Sequence, residues 1–441
     1  LAQSQTQTIL NPGYSRAHTN KEISGPAQTV VRGPPEFREY YMTADALRLS
    51  KTKFVSIALL LALLLIFFQL DISAGMPHPI GSNDLVFFWV AGKLLLNGES
   101  PYDGHLYLAR LAELGFNVDP LSPPLVWNPP WVFSIIGFFP FLSLSVLSKA
   151  WLMLTCAIFL FCFKLSITMS RLAGARPDSG TRKIATTVFA CFFPCLLCIW
   201  LGQLSPLIML SVTLWLRQEL KSQKTSRDYF LSGILLSLTS LKPHLVYLVW
   251  VQAGVRNIRQ KKLTWFLGVF CGMLLLNLGP LIIRPSLYHE FIRNLQNAPL
   301  YWKNPTLTSF LISSFHIRST FIKLLPSIIC TIWVICRNYR SKACNYDYLI
   351  LLIPVSILTS PYGWVYDFVL FIPCLVHYSL RSRPTAYVLI LCNLMMFSSP
   401  AYEMSNYYWY PIVFTGIGVL HFIWSNNKND IQLPVSHKKN A

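Results

Sequence analysis

Apolar runs separated by short charged or Pro- and Gly-bearing breaks recur along most of the chain. The first covers Phe54 to Leu70. Others follow at roughly 149–169, 184–201, 205–217, 229–242, 244–255, 263–283, 320–337, 347–360, 364–380, 385–399 and 407–424. Several fall well short of the ~20 residues that a full bilayer crossing requires. Short, broken helices are tolerated at membrane depth where they line a protein cavity. The pattern predicts an all-α multi-pass membrane protein with about twelve transmembrane helices.

Between the first two runs lies a long polar-to-amphipathic segment, 71–128, read as a first outer loop carrying amphipathic helices. Its centre is Ser82-Asn83-Asp84, followed by a helical pattern to Leu96. Asn83 and Asp84 suit a helix N-cap, where a side-chain oxygen takes up a free backbone N–H. Gly98, with Pro101 beyond it, reads as the stop. Asp103 reads as the cap of the next helix. Pro129 to Phe141 holds Pro129, Pro130 and Pro140 and is expected to dip into the membrane without crossing.

Three regions follow from the pattern. Residues 1–50 form a polar, basic tail without apolar periodicity, read as disordered. Residue 1 is Leu, and a start at Met42 would leave a short basic lead before the first span, which suggests that residues 1–41 are a start-site artefact. Residues 51–425 form the membrane domain, and 426–441 a cytoplasmic tail.

Composition supports the membrane assignment. The 441 residues are 53% hydrophobic and 12% charged, with mean hydropathy +0.45; soluble domains carry about 25% charged residues. The net charge of +19 would suit a nucleic-acid partner, but the Lys and Arg sit in short loops and read as topology signals. The basic loops are Arg171–Lys183, Arg217–Arg227, Arg256–Lys262, Arg337–Lys342 and Arg381–Arg383, all placed inside. The outer loops are then 71–128, 202–206, 242–244, 284–306, 360–367 and 400–411. None of the eleven Cys falls in an outer loop, so a disulfide framework is not expected. Cys191, Cys195 and Cys198 share a helical face but lack a nearby His or carboxylate, and read as core rather than as a metal site.

The unusual polar clusters therefore gather on one face: Ser82–Asp84, Trp127–Pro130, Gly202-Gln203, Lys242-Pro243-His244 and Ser360–Asp367. In this order they resemble glycosyltransferase family 87. Asp84–Gly92 with Leu95–Asp103 is similar to the family's first outer loop. Asn128-Pro129-Pro130 is similar to its Tyr-Pro-Pro step, with Asn in place of Tyr. Gly202-Gln203, Leu241-Lys242-Pro243 and Ser360–Asp367 resemble later blocks. The resemblance covers about residues 54–425.

The resemblance implies a GT-C-like fold and an enzyme of the hexosyltransferase class. Its substrates would be a polyprenyl-phosphate sugar donor, mannose foremost, and a glycolipid or glycan acceptor. It implies an active site facing outside, in the cell membrane, with an acidic residue of the first outer loop as base. That residue maps to Asp84. Some relatives carry a His near the Ser360-Pro361 position; here Trp364 and Tyr366 stand there.

A sugar on a lipid phosphate already has a good leaving group. An inverting displacement then needs a base at the acceptor hydroxyl and positive charge at the phosphate. Asp84 suits the base. Lys242, His244 and Arg284 suit the phosphate, with Arg293 an alternative to Arg284. Asn83, Gln203, Tyr362, Trp364 and Asp367 suit the sugar and acceptor. No cofactor is expected; a metal-free site is favoured because Asp84 has no acidic neighbour at close spacing, with a divalent ion held by acidic residues kept as the alternative.

Plainer readings stand beside each assignment. Asp84 serves equally as a cap. Lys242 can snorkel to the interface, and His244 can be an ordinary interfacial His. Gln203 can bond a neighbouring helix. Trp127, Tyr362, Trp364 and Tyr366 can be interfacial aromatics, and Asp367 can be the partner of a Lys or Arg. The competing function is a polytopic transporter or lipid flippase, which broken helices around a cavity would also suit. Two features argue against it: the hydropathy shows no internal repeat, and the polar clusters gather at one face instead of the midplane.

Overall fold

The computed structural model describes residues 83–116, 126–296, 304–315, 320–340, 345–398 and 407–431. Every described residue belongs to one compact unit, within 66–441. The expected first span and both terminal tails beyond these bounds lie outside the described residues. The described residues are helical throughout, without strands.

Helix α1 covers Asn83–Leu96 and α2 covers Gly104–Glu113. Gly98 takes φ +74° at the turn between them, a left-handed conformation open to Gly without steric cost. Asp103 caps α2 as expected, its Oδ1 accepting from His105 N at 3.0 Å and Leu106 N at 3.2 Å. The Pro-rich stretch forms a 3-10 turn Pro130–Val132, a short α3 at Phe133–Ile136 and a second 3-10 turn Phe139–Phe141. α1 packs on this broken segment through Gly92. A Cβ there would stand 2.4 Å from Ile136 O, so only Gly permits the approach.

Next come α4 Leu144–Leu172, α5 Ser179–Ala190, α6 Phe193–Leu201, α7 Ser205–Glu219 and α8 Ser226–Leu238. Two 3-10 turns, Thr239–Leu241 and Pro243–Val246, lead into α9 Tyr247–Arg259. α10 covers Leu263–Ile283, α11 Leu287–Gln296, α12 Leu307–Phe315 and α13 Thr320–Arg340. The last part is α14 Tyr346–Thr359, a 3-10 helix Val365–Phe371, α15 Ile372–Arg381, α16 Arg383–Ser398 and α17 Trp409–Ile431.

Among the described residues, three stretches are long and apolar enough to cross a membrane by length and composition: Leu144–Leu172, Ser179–Leu201 and Leu263–Ile283. About twelve full crossings were expected. The remaining apolar helices are shorter or more polar. The runs expected at 229–242 and 364–380 each divide into an α-helix and a 3-10 segment. The physical reason is local. Lys242-Pro243 and the Trp364–Asp367 turn redirect the backbone toward the protein interior, where other segments rather than lipid surround it.

The centre of the fold is α14 with the segment Val365–Arg381, whose residues are almost all buried. α4, α5 and α17 pack around it. At the periphery, α8 and α10 form a close pair. A Cβ on Gly268 would lie 2.1 Å from Phe230 O, and one on Gly233 2.3 Å from Trp265 O. Small residues that let helix backbones approach are a recurrent device between membrane helices. The outer face of α10, with Leu263, Phe270, Leu275 and Ile282, is exposed and apolar, as a lipid-facing surface requires. One break between apolar helices is satisfied by a side chain from a third helix. At the α5–α6 break Phe193 N donates to Asn393 Oδ1 at 3.3 Å, and the Tyr410 hydroxyl donates to the same oxygen at 3.0 Å.

Candidate functional site

Four chain breaks converge on one cavity of about 250 Å³. α6 ends at Gly202, whose φ of +73° closes the helix; its N–H donates to Cys198 O at 3.1 Å. This tight turn brings Gln203 out beside the start of α1. Lys242 sits between two 3-10 turns in an extended conformation, φ −141° and ψ 74°. Pro243 disfavours helix at the residue before it, so the α8 run ends here and the ammonium swings inward. Asp367 sits in the first turn of the 3-10 helix, with Oδ2 accepting from Trp364 N at 3.0 Å. Asp84 enters from the first turn of α1.

These groups form a continuous chain. Gln203 Nε2 donates to Asp84 Oδ2. Lys242 Nζ donates to Gln203 Oε1 at 3.3 Å, Ser205 Oγ at 3.2 Å and Asp367 Oδ1 at 2.8 Å. Ser205 Oγ donates to Asp367 Oδ1 at 2.5 Å. An ammonium has three protons, and all three have acceptors. The Tyr366 ring lies 4.7 Å from Nζ and adds a cation–π contact. Lys242 is 9% exposed and Asp367 fully buried.

Asp84 is half-buried at the cavity wall. Burial raises its pKa from 3.8 to about 6, against the lowering pull of the Gln203 hydrogen bond and the Lys242 charge. A carboxylate poised this way is a competent proton acceptor near neutral pH. Beside it the cavity is lined by aromatic rings: Phe87 and Phe88 from α1, Tyr107 from α2, Trp127, and Tyr362, Trp364 and Tyr366 from the late loop. Asn128 completes the polar lining, with its carbonyl held by the Tyr102 hydroxyl at 2.6 Å. Aromatic faces beside a few polar groups suit a ligand with both apolar and hydroxyl-bearing surfaces, as a sugar has.

The structure thus brings together Asp84, Gln203, Lys242, Tyr362, Trp364 and Asp367 of the expected residues. Asn83 opens α1, but its side chain lies outside the described residues. His244 is adjacent; its ring stacks on Tyr362 at 4.1 Å, and Nε2 is buried without a hydrogen-bond partner. Arg284 is not brought to the cavity. Its guanidinium binds Glu290, with Nε to Oε1 at 2.9 Å, and donates to Gly98 O at 2.5 Å. Glu290 in turn accepts from Ser100 Oγ at 2.5 Å, so Arg284 ties α11 to the turn between α1 and α2. Arg293 sits on the same helix against His289.

Sequence reasoning missed Phe87, Phe88, Tyr107 and Ser205. Tyr107 and Leu111 form the buried face of amphipathic α2, and that i, i+4 pattern was the available signal. Ser205 lies two residues after Gln203, and only its placement against Asp367 shows its use. Among the described residues no three His, Cys, Asp or Glu side chains converge as a metal site. Asp84 and Asp367 are kept apart by Gln203 and Lys242.

The sequence profile of glycosyltransferase family 87 matches residues 127–400, more than half of the chain. No curated protein and no solved structure matches significantly. The matched segment includes Gln203, Lys242 and Asp367, whereas Asp84 and α1 precede it. The chain belongs to glycosyltransferase family 87, and its helical, apolar character makes it a membrane-bound member.

Proposed function

We propose that this glycosyltransferase moves a hexose, mannose foremost, from a polyprenyl-phosphate donor to a glycolipid or glycan acceptor at the outer face of the cell membrane. Asp84 is the general base. The acceptor hydroxyl oxygen attacks the anomeric carbon as its proton passes to Asp84. The carbon–oxygen bond to the phosphate breaks, and the lipid phosphate leaves with the electron pair. Attack opposite the leaving group inverts the anomeric centre. The proton then leaves Asp84 through the open cavity to water.

The observation that carries this reading is Asp84 itself: a half-buried carboxylate with raised pKa on an aromatic-walled cavity. Two pairs of basic loops support the outward orientation. Arg381 donates to Ala173 O at 2.8 Å, and Arg383 pairs with Asp178. Arg256 pairs with Glu219 at 2.5 Å. These contacts join the loops assigned inside, while the cavity is built from the loops assigned outside.

Lys242 is the expected phosphate-binding cation, but its three protons already have acceptors. Its charge reaches a bound phosphate through space, softened by Asp367. The test is transfer by purified protein in nanodiscs, supplied with radiolabelled polyprenyl-phosphate mannose, glucose or N-acetylglucosamine and a membrane lipid extract. Label should pass from one lipid-linked donor, with inversion shown by NMR of the product. Transfer from a nucleotide sugar, and none from any lipid-linked donor, would overturn the proposal.

A further inference from the structure

We propose that Lys242, held by Asp367 and Ser205, acts as a positioning residue that locks the Gln203 amide with its N–H toward Asp84, and so keeps Asp84 ionised at working pH. The inference rests on the reading of Asp84 as base and assigns a different role to the neighbouring residues.

The orientation follows from donor and acceptor chemistry. An ammonium donates only. The Gln203 atom facing Lys242 at 3.3 Å must therefore be the carbonyl oxygen, and the NH2 group must face Asp84. A free amide has no such preference, because either orientation fills the same space. Asp367 and Ser205 hold the ammonium from the other side at 2.8 and 3.2 Å. The Gln203 backbone is held as well, by Trp151 Nε1 donating to Gln203 O at 3.3 Å and by the Gly202 turn. Both ends of the amide are thus fixed before a substrate arrives, as preorganised electrostatics require.

The consequence for Asp84 has a definite sign. A hydrogen bond to the ionised form favours ionisation, and a nearby positive charge does the same. Tyr107 of α2, Cys198 of α6, and Tyr366 and Asp367 of the late 3-10 helix share the neighbourhood. Among these groups Lys242 is the cation. Without the amide N–H, burial acts on Asp84 with less opposition, and protonation persists to higher pH.

Two readouts test this. One is the pH dependence of transfer. The other is the protonation of Asp84 itself, read from its carboxyl C=O stretch by infrared difference spectroscopy, with Asp84→Asn identifying the band. Gln203→Glu keeps the shape and replaces the donor by a like charge. Gln203→Leu removes the donor. Lys242→Met/Asp367→Leu removes the ion pair without leaving a buried charge alone.

The acid limb and the infrared titration should move together to higher pH by about one to two units in the Gln203 variants, more in Gln203→Glu. The double variant should shift the infrared titration in the same direction. Folding is checked by thermal melting of each variant. A lower rate at all pH values with an unmoved infrared titration in the well-folded variants would overturn the proposal. An infrared titration that moves while the acid limb stays would leave the relay intact and remove Asp84 as the base.

Discussion

Lys242 Nζ and Asp367 Oδ1 meet at 2.8 Å, from positions 125 residues apart in the chain. Lys242 follows α8 at a Pro-dictated bend, and Asp367 opens the 3-10 helix at the centre of the fold. The contact therefore ties the wall of the cavity to the core. A buried ion pair adds little net stability, yet breaking it strands a charge. Asp367→Asn should cost about 3–5 kcal/mol, seen as a lower melting temperature in detergent. Lys242→Met/Asp367→Leu should recover most of that loss. A double variant as unstable as the single would show that the pair itself, rather than the stranded charge, carries the stability.

The α8–α10 seam depends on absent side chains. Gly268→Ala places a methyl 2.1 Å from Phe230 O and must push the helices apart, so a marked drop in melting temperature and yield is expected. Gly254 has nothing within 4 Å of its would-be Cβ. Gly254→Ala should instead stabilise α9 by about 0.5–1 kcal/mol through helix propensity. Equal effects of the two variants would contradict the packing account.

Arg284 is bound to Glu290 and to the Gly98 carbonyl. A tether predicts that Arg284→Met and Glu290→Gln behave alike, each lowering the melting temperature slightly and loosening the turn between α1 and α2. A direct phosphate contact predicts a raised donor KM in Arg284→Met with Glu290→Gln unchanged. Donor titrations on both variants separate the two.

Much of this arrangement could be read from residues in order. Gly98 at the stop and the Asp103 cap depend on local chemistry and appear where expected, whereas Asn83 and Asp84, read as the cap, lie inside the first turn of α1. Gly202-Gln203, Lys242-Pro243 and the Ser360–Asp367 block were recognisable as breaks in apolar runs, and all of them reach the cavity. Pairing was not legible. Nothing local indicates that Lys242 takes Asp367, that Gln203 bridges to Asp84, or that Arg284 turns to Glu290, because each partner lies in another element. Helix lengths failed for a related reason. Hydropathy reports burial, and burial in protein and burial in lipid look alike, so central segments such as Val365–Arg381 read as a single span.

The raised pKa of Asp84 has a stability consequence. In the unfolded chain it titrates near 3.8 and in the folded protein near 6. Between these values the folded state binds the extra proton, so stability falls as pH rises from about 4 to 6 and is level above. Asp84→Asn lacks this loss. The variant should gain on the parent across that window and remain about 1–3 kcal/mol more stable at pH 7.5, measured by melting temperature against pH. A gap independent of pH would show that Asp84 does not titrate in this range.

The most direct measurement is sugar transfer by well-folded Asp84→Asn protein. Asn keeps the size of Asp and an oxygen to accept from Gln203 Nε2, so a purely structural Asp84 tolerates the change. Asn cannot accept the acceptor's proton. Transfer should fall by roughly 10²–10⁴ while the melting temperature at neutral pH holds or rises. Near-normal transfer by the folded variant would contradict the account and leave the base to be sought elsewhere around the cavity.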